Sequence, residues 1–240
     1  MEKIGIKTEE INSDVAVVET KEKGPKLIRV CIVDFKEIDD STKIIINSMV
    51  KDGINVSYFG SKDYYKEKNM KSDGFKTYAI SECNNKNKFS DSYLDCTGVI
   101  VAGKNEKGEE VSFMTHQDPE SIFSKKHQLN FIKDLATTLD EMKNLCIPGS
   151  IDVVMFGGNP RKNLTNYEKS IKYIGIILQG KLGIDPTVLT GPNIDVSVMG
   201  ADAFYNTKDR LLYIIRMNQG TTRLNESYLA SEFNEKRKEW

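Results

Sequence analysis

Residues 95–116 read DCTGVIVAGKNEKGEEVSFMTH, two apolar runs flanking a polar segment that contains Gly108. That pattern predicts a β-hairpin. With the loop at Lys104 to Gly108, five residues including a glycine, the connection has an ordinary hairpin length. This register, centred on Glu106, sets Cys96 directly opposite His116. Opposed residues of an antiparallel pair share a face with Cβ atoms ~4.5–5.5 Å apart, which suits a thiol–imidazole hydrogen bond. A slip of one residue would send the two to opposite faces.

The pairing matters chemically, because a thiol with a pKa near ~8.5 becomes a nucleophile at neutral pH only when a neighbouring base takes its proton. The chain has two histidines, His116 at a predicted strand end and His127 opening a helix among polar neighbours. His116 is the better base. A single Cys on a strand is most often a small buried hydrophobe, so the reading needs company. Ser90, six residues before Cys96, and Ser92 share strand parity with the cysteine if the strand begins that early. A hydroxyl there is a candidate to orient the imidazole, Ser90 first, although either serine taken singly is more often a solvent-facing residue of a polar turn. Although polar residues leaving a strand are usually just solvated, Thr115, Gln117 and Asp118, which flank His116, are candidate substrate contacts, Gln117 foremost. So is the turn Phe156-Gly157-Gly158-Asn159, which follows a strand but lacks the Lys-Ser/Thr of a phosphate loop. Thr190-Gly191-Pro192-Asn193 follows another strand toward the same rim.

Outside the hairpin, KLIRVCIVDF (26–35), DDSTKIIINSMVKDG (39–53) and INVSYFG (54–60) read as strand, helix and strand. Asp40 or Ser41 is the expected helix cap. The polar stretch 61–74 reads as a surface loop and divides the chain into an N-terminal β-α-β extension, 1–74, and an α/β domain, 75–240. FKTYAIS (75–81) is a further strand. Residues 127–145 have helical periodicity, with Leu129, Ile132, Leu135 and Leu139 on one face. SIDVVMFGG (150–158) returns to strand, and Thr165 and Glu168 have capping-box spacing at the start of a helix that stops near Gly183. PTVLTGP is a strand, IDVSVMG and RLLYIIR form the last hairpin, and 225–240 is a polar helix or frayed tail. The fold class is α/β: a mixed, largely antiparallel sheet or sandwich with packed helices, plus the N-terminal extension.

The chain of 240 residues carries 34 basic and 35 acidic side chains, so the net charge of -1 offers no broad attraction to nucleic acid or anionic lipid. Neither is an expected partner. A charged amino terminus and the lack of an ~18-residue apolar run predict a soluble protein without a secretory signal or membrane span. Cys31, Cys83, Cys96 and Cys146 have no C-x-x-C spacing, which suits a reducing compartment such as the cytoplasm. Delivery by a signal-peptide-independent secretion system would leave the same pattern.

The order of Ser90, Cys96, His116 and Phe156-Gly157-Gly158 resembles the fold shared by chemoreceptor glutamine deamidases, the catalytic domains of cytotoxic necrotizing factors and laccase-domain purine nucleoside enzymes. In the deamidases a hydroxyl residue precedes a Cys by six, a hairpin leads to a His, and a strand ending in Phe-Gly-Gly introduces a helix. The resemblance covers roughly 75–216. It departs at Tyr93-Leu94-Asp95, where the family has a glycine-rich approach, and in having serine rather than threonine as the hydroxyl. Asp95 opposes a thiolate unless it points away, as strand alternation predicts.

What the resemblance implies is a cysteine-dependent amide hydrolase, most concretely a deamidase of glutamine side chains in a protein substrate, with no cofactor and no metal. Cys96 is then the nucleophile and His116 its base. The laccase-domain relatives imply a metal-assisted purine nucleoside enzyme instead, but the upstream histidine ligand is missing, and His127 or Cys83 would have to replace it. A third alternative is a binding module in which Cys96 is only packing.

Overall fold

The structure is a computed structural model, and it describes residues 28–57, 60, 62–158, 164–189 and 198–218. The polar helix or tail expected at 225–240, the turn at 190–193 and Asn159 lie outside the described residues.

Two five-stranded mixed sheets carry the fold. In the first, the order is β1 (Arg29–Asp34), β10 (Leu211–Asn218), β9 (Val198–Asn206), β4 (Lys88–Tyr93) and β2 (Ile54–Asn55). In the second it is β3 (Tyr78–Ile80), β6 (Glu110–Gln117), β5 (Thr97–Lys104), β7 (Asp152–Gly157) and β8 (Thr187–Val188). The sheets face each other across a core of Tyr93, Ile100, Met114, Phe156, Ala203 and Leu212. Strand alternation sends the intervening residues outward, where each sheet meets its own helices. Helix α1 (Asp40–Asp52) lays Ile46, Met49 and Val50 against Phe89, Phe204 and Ile215 of the first sheet. Helices α4 (Lys125–Leu145) and α5 (Leu164–Leu182) cover Val99, Val101, Phe113, Val153 and Met155 of the second. The expected α/β sandwich is therefore four layers deep.

The N-terminal β-α-β piece supplies both edges of the first sheet, with β1 parallel to β10 and β2 parallel to β4. Its backbone hydrogen bonds are thus made with strands from later in the chain. Asp39, rather than Asp40 or Ser41, caps α1, its carboxylate accepting from Thr42 N at 2.6 Å. Within the stretch expected to be loop, Lys62–Glu67 forms a short helix, α2, because Tyr65 is buried on its inner side. The strand expected at 75–81 is confined to Tyr78–Ile80. Helix α5 begins at Leu164, one residue before the cap predicted there.

On α4 the buried stripe is His127, Phe131, Leu135, Thr138, Leu139 and Met142, following the 3.6-residue period. Leu129 was expected on that face but is 72% exposed, lying two residues from both His127 and Phe131 and so on the far side of the turn. A short helix, α3 (Glu120–Phe123), precedes α4. Among the described residues no helix is long and apolar enough to cross a membrane.

The central hairpin forms as expected, but its register differs. Thr97 pairs with Gln117 and Lys104 with Glu110, so the axis passes through Lys107, not Glu106. The cause lies in the turn. Asn105 Oδ1 accepts from Lys107 N and Glu109 N, Asn105 N bonds Glu109 O, and Gly108 takes a positive φ of 76°. These contacts move the loop one residue on from the predicted span. Because the pairing slips by two positions on β6, every side chain keeps its face while Cys96 moves from opposite His116 to opposite Asp118.

Candidate functional site

The ends of β4, β6 and β7 and the start of β5 meet at one end of the sandwich. A bulge in β4 shapes this corner: the pairing with β9 shifts between Ser90 and Tyr93, and Ser92 takes a φ of 67°. Ser90 and Phe89 alternate normally, but the extra residue turns Tyr93 inward as well. Ser92 therefore does not share the face of Cys96, and its N–H bonds Asp202 Oδ1 at 3.0 Å. Tyr93 stacks on the His116 ring with centroids 4.1 Å apart and donates its hydroxyl to Thr115 O at 2.9 Å.

His116 is buried and held at both its face and its Nδ1 edge. Ser90 Oγ lies 2.8 Å from His116 Nδ1 and 2.7 Å from Val56 O. A carbonyl oxygen only accepts, so the serine proton goes to Val56 and His116 must donate its own proton to Ser90. The ring is then the Nδ1–H tautomer, with the lone pair on Nε2. Burial pushes the imidazole pKa from 6.5 down to about 3, which keeps the ring neutral across the physiological range and makes Nε2 a weak base in the absence of substrate.

Cys96 directly precedes β5 and is 4% exposed. It belongs to the core between the sheets, on the same face as Tyr93, and in the observed register it is a diagonal rather than a direct neighbour of His116. The other thiols are elsewhere. Cys31 packs on the α1 side, and Cys83 and Cys146 pack on the α4 side, where burial pushes them up to about 12 and about 11. None of the four forms a disulfide.

Gly157 and Gly158 bring β7 against the cysteine backbone. Gly158 N donates to Cys96 O at 2.8 Å, and a Cβ on Gly157 would stand 2.6 Å from that same oxygen. Both have positive φ, 80° and 83°, so glycine is required twice over. Their role in this geometry is close approach to Cys96; the Gly158 N–H is already engaged there.

Gln117 faces the other side of the sheet. Its Nε2 donates to Thr97 Oγ1 at 3.0 Å, and the side chain is buried. Asp118, expected only as one of the polar residues flanking His116, is the residue brought to Cys96: Cys96 Sγ lies 3.9 Å from Asp118 Oδ2. Its contact with Cys96 was in the sequence only through the hairpin register.

His127 is drawn into a different arrangement, its Nδ1 2.6 Å from Asp73 Oδ2, which also accepts from Thr77 Oγ1 at 2.7 Å. Cys83 points at Thr138 O on α4. Neither joins Cys96 and His116, and among the described residues no three His, Cys, Asp or Glu side chains gather as a metal would need. A cleft of about 580 Å³ opens at the other end of the sandwich, lined partly by Lys86, Lys104, Glu110 and Arg210, and holds none of these site residues.

Fold and site together define a four-layer α/β sandwich with a buried cysteine and an oriented histidine between its sheets. No protein-family model and no curated protein matches the chain.

Proposed function

We propose that this protein is a cysteine-dependent amide hydrolase that deamidates glutamine side chains of a protein substrate. The observation that carries the reading is the Val56–Ser90–His116 relay, which leaves the acceptor lone pair of His116 on Nε2. A general base needs its proton-accepting nitrogen defined, and the relay supplies that. In the proposed reaction His116 Nε2 takes the Cys96 proton as Sγ attacks the carboxamide carbon. The tetrahedral adduct collapses with transfer of that proton from the imidazolium to departing ammonia, leaving a thioester. Neutral His116 then deprotonates a water molecule, which attacks the thioester and releases glutamate and the thiol. No cofactor takes part. The fold likeness read from the order of Ser90, Cys96, His116 and Phe156-Gly157-Gly158 supports the same chemistry.

The deep burial of Cys96 favours a second reading, a binding module in which the thiol only packs. One experiment separates the two. Cell proteins are incubated with the purified protein in ¹⁸O-labelled water, and new glutamates carrying the label are mapped by peptide mass. Labelled sites are expected with the wild type and not with Cys96→Ala or His116→Ala. The absence of any site above the Cys96→Ala background would leave the binding module.

A further inference from the structure

The contact between Asp118 and Cys96 is not needed for the chemistry above, and it opposes it, because a carboxylate beside a thiol raises the cost of forming the thiolate. The carboxylate is nonetheless built in. Asp118 Oδ1 accepts from Glu120 N at 2.8 Å, its N–H bonds Thr77 O at 2.8 Å, and its carbonyl accepts from Ser121 Oγ at 2.7 Å. These bonds hold Oδ2 toward the sulfur. Among the described residues no Lys, Arg or His forms an ion pair with Asp118, and the charged groups acting on it are the carboxylates of Asp95 and Glu120. Among the described residues this half-buried negative charge, flanked by two more, has no counterion.

We infer that Asp118 is the specificity residue of the Cys96 site, selecting a target that presents a cationic group beside the carboxamide. This rests on the hydrolase reading. An ammonium or guanidinium of the substrate would pair with Oδ2, remove the negative field at Sγ and let the thiolate form. In the absence of substrate the same carboxylate opposes loss of the thiol proton. An anionic target would add to the repulsion and be rejected.

Three methanethiosulfonate reagents of similar size test this: aminoethyl (cationic), ethyl (neutral) and sulfonatoethyl (anionic). Each transfers its thioalkyl group to the Cys96 thiolate, breaking the reagent S–S bond, forming a mixed disulfide and releasing methanesulfinate. Rates at Cys96 in the full chain are read by peptide mass. The cationic reagent is expected to react about tenfold or more faster than the anionic one. Asp118→Asn keeps the oxygen that Glu120 N needs, and Asp118→Ser is the second variant should the first fail to fold. In either, the ratio is expected to fall toward one while the neutral reagent speeds up about tenfold. His116→Ala is expected to slow all three reagents by one common factor. If it leaves the neutral rate unchanged, the hydrolase reading fails whatever the charge ratio. With His116 effective, a wild-type ratio near one, or a ratio that survives loss of the Asp118 charge, overturns the inference.

Discussion

A single hydroxyl decides what the imidazole can do. Ser90 has one proton and gives it to Val56, so the contact with His116 can only be an Nδ1–H donation. Nitrogen chemical shifts of labelled His116 should accordingly show the Nδ1–H tautomer; an Nε2–H ring would sink the assignment. Ser90→Ala removes acceptor and donor together in a fully buried position. We expect a stability loss of about 1–3 kcal/mol by denaturant unfolding. Labelled-glutamate formation should drop about tenfold to a hundredfold. Ser90→Thr keeps the oxygen and should recover most of both; a Thr variant no better than Ala would show that the relay is not what matters.

The strands position the site through two local devices, a bulge and a missing side chain. The bulge in β4 turns Tyr93 onto His116, and Gly98 in β5 leaves room for that ring. A Cβ at Gly98 would stand 2.6 Å from the Phe156 ring and 2.8 Å from Tyr93. Gly98→Ala should therefore cost about 1–3 kcal/mol by overpacking, measured as a lower unfolding midpoint, and displace Tyr93 from His116. An unchanged midpoint would mean the two rings can yield. At the other end of β4, Lys88 is fully buried, with Nζ 3.2 Å from Asn84 O, 3.0 Å from Asn84 Oδ1, 2.8 Å from Lys86 O and 2.9 Å from Ser112 Oγ. Burial pushes this ammonium down to about 7, while three carbonyl oxygens call for the three donors of the charged form. It ties the turn at 84–86 to β6. Lys88→Met should destabilise by roughly 3 kcal/mol or more, since those part-buried acceptors lose the donor that a fully buried side chain brings to them. A loss under about 1 kcal/mol would show that they find other partners.

For the whole molecule, burying His116 between the sheets links folding to acid. The folded ring binds its proton only near pH 3, whereas the unfolded chain binds it below its ordinary value of 6.5. Between these limits the unfolded state holds more protons, so stability is present above 6.5 and is lost as pH falls toward 3. The slope approaches about 1.4 kcal/mol per pH unit from this one group. Denaturant unfolding across that range should show it, and His116→Gln should flatten it. A wild-type curve no steeper than that of the variant would place the ring in contact with water.

The alternation of apolar residues in 97–104 and 110–117, the helical period of 127–145 and the β-α-β start were legible from the sequence, because they follow from periods of two and 3.6 that each segment carries within itself. The same parity placed Cys96 and His116 on one face of the sheet. What lay beyond that reading depends on distant parts of the chain or on turn geometry. The hairpin axis moved to Lys107 because Asn105 and Gly108 organise the turn, and that shift alone brought Asp118 to the thiol. The tautomer of His116 depends on Val56, 34 residues from Ser90, and the inward turn of Tyr93 depends on a bulge set against β9. Local sequence determines which face a residue occupies. Only tertiary structure decides what stands opposite it, because register and partner choice are settled by contacts between segments that no single segment contains.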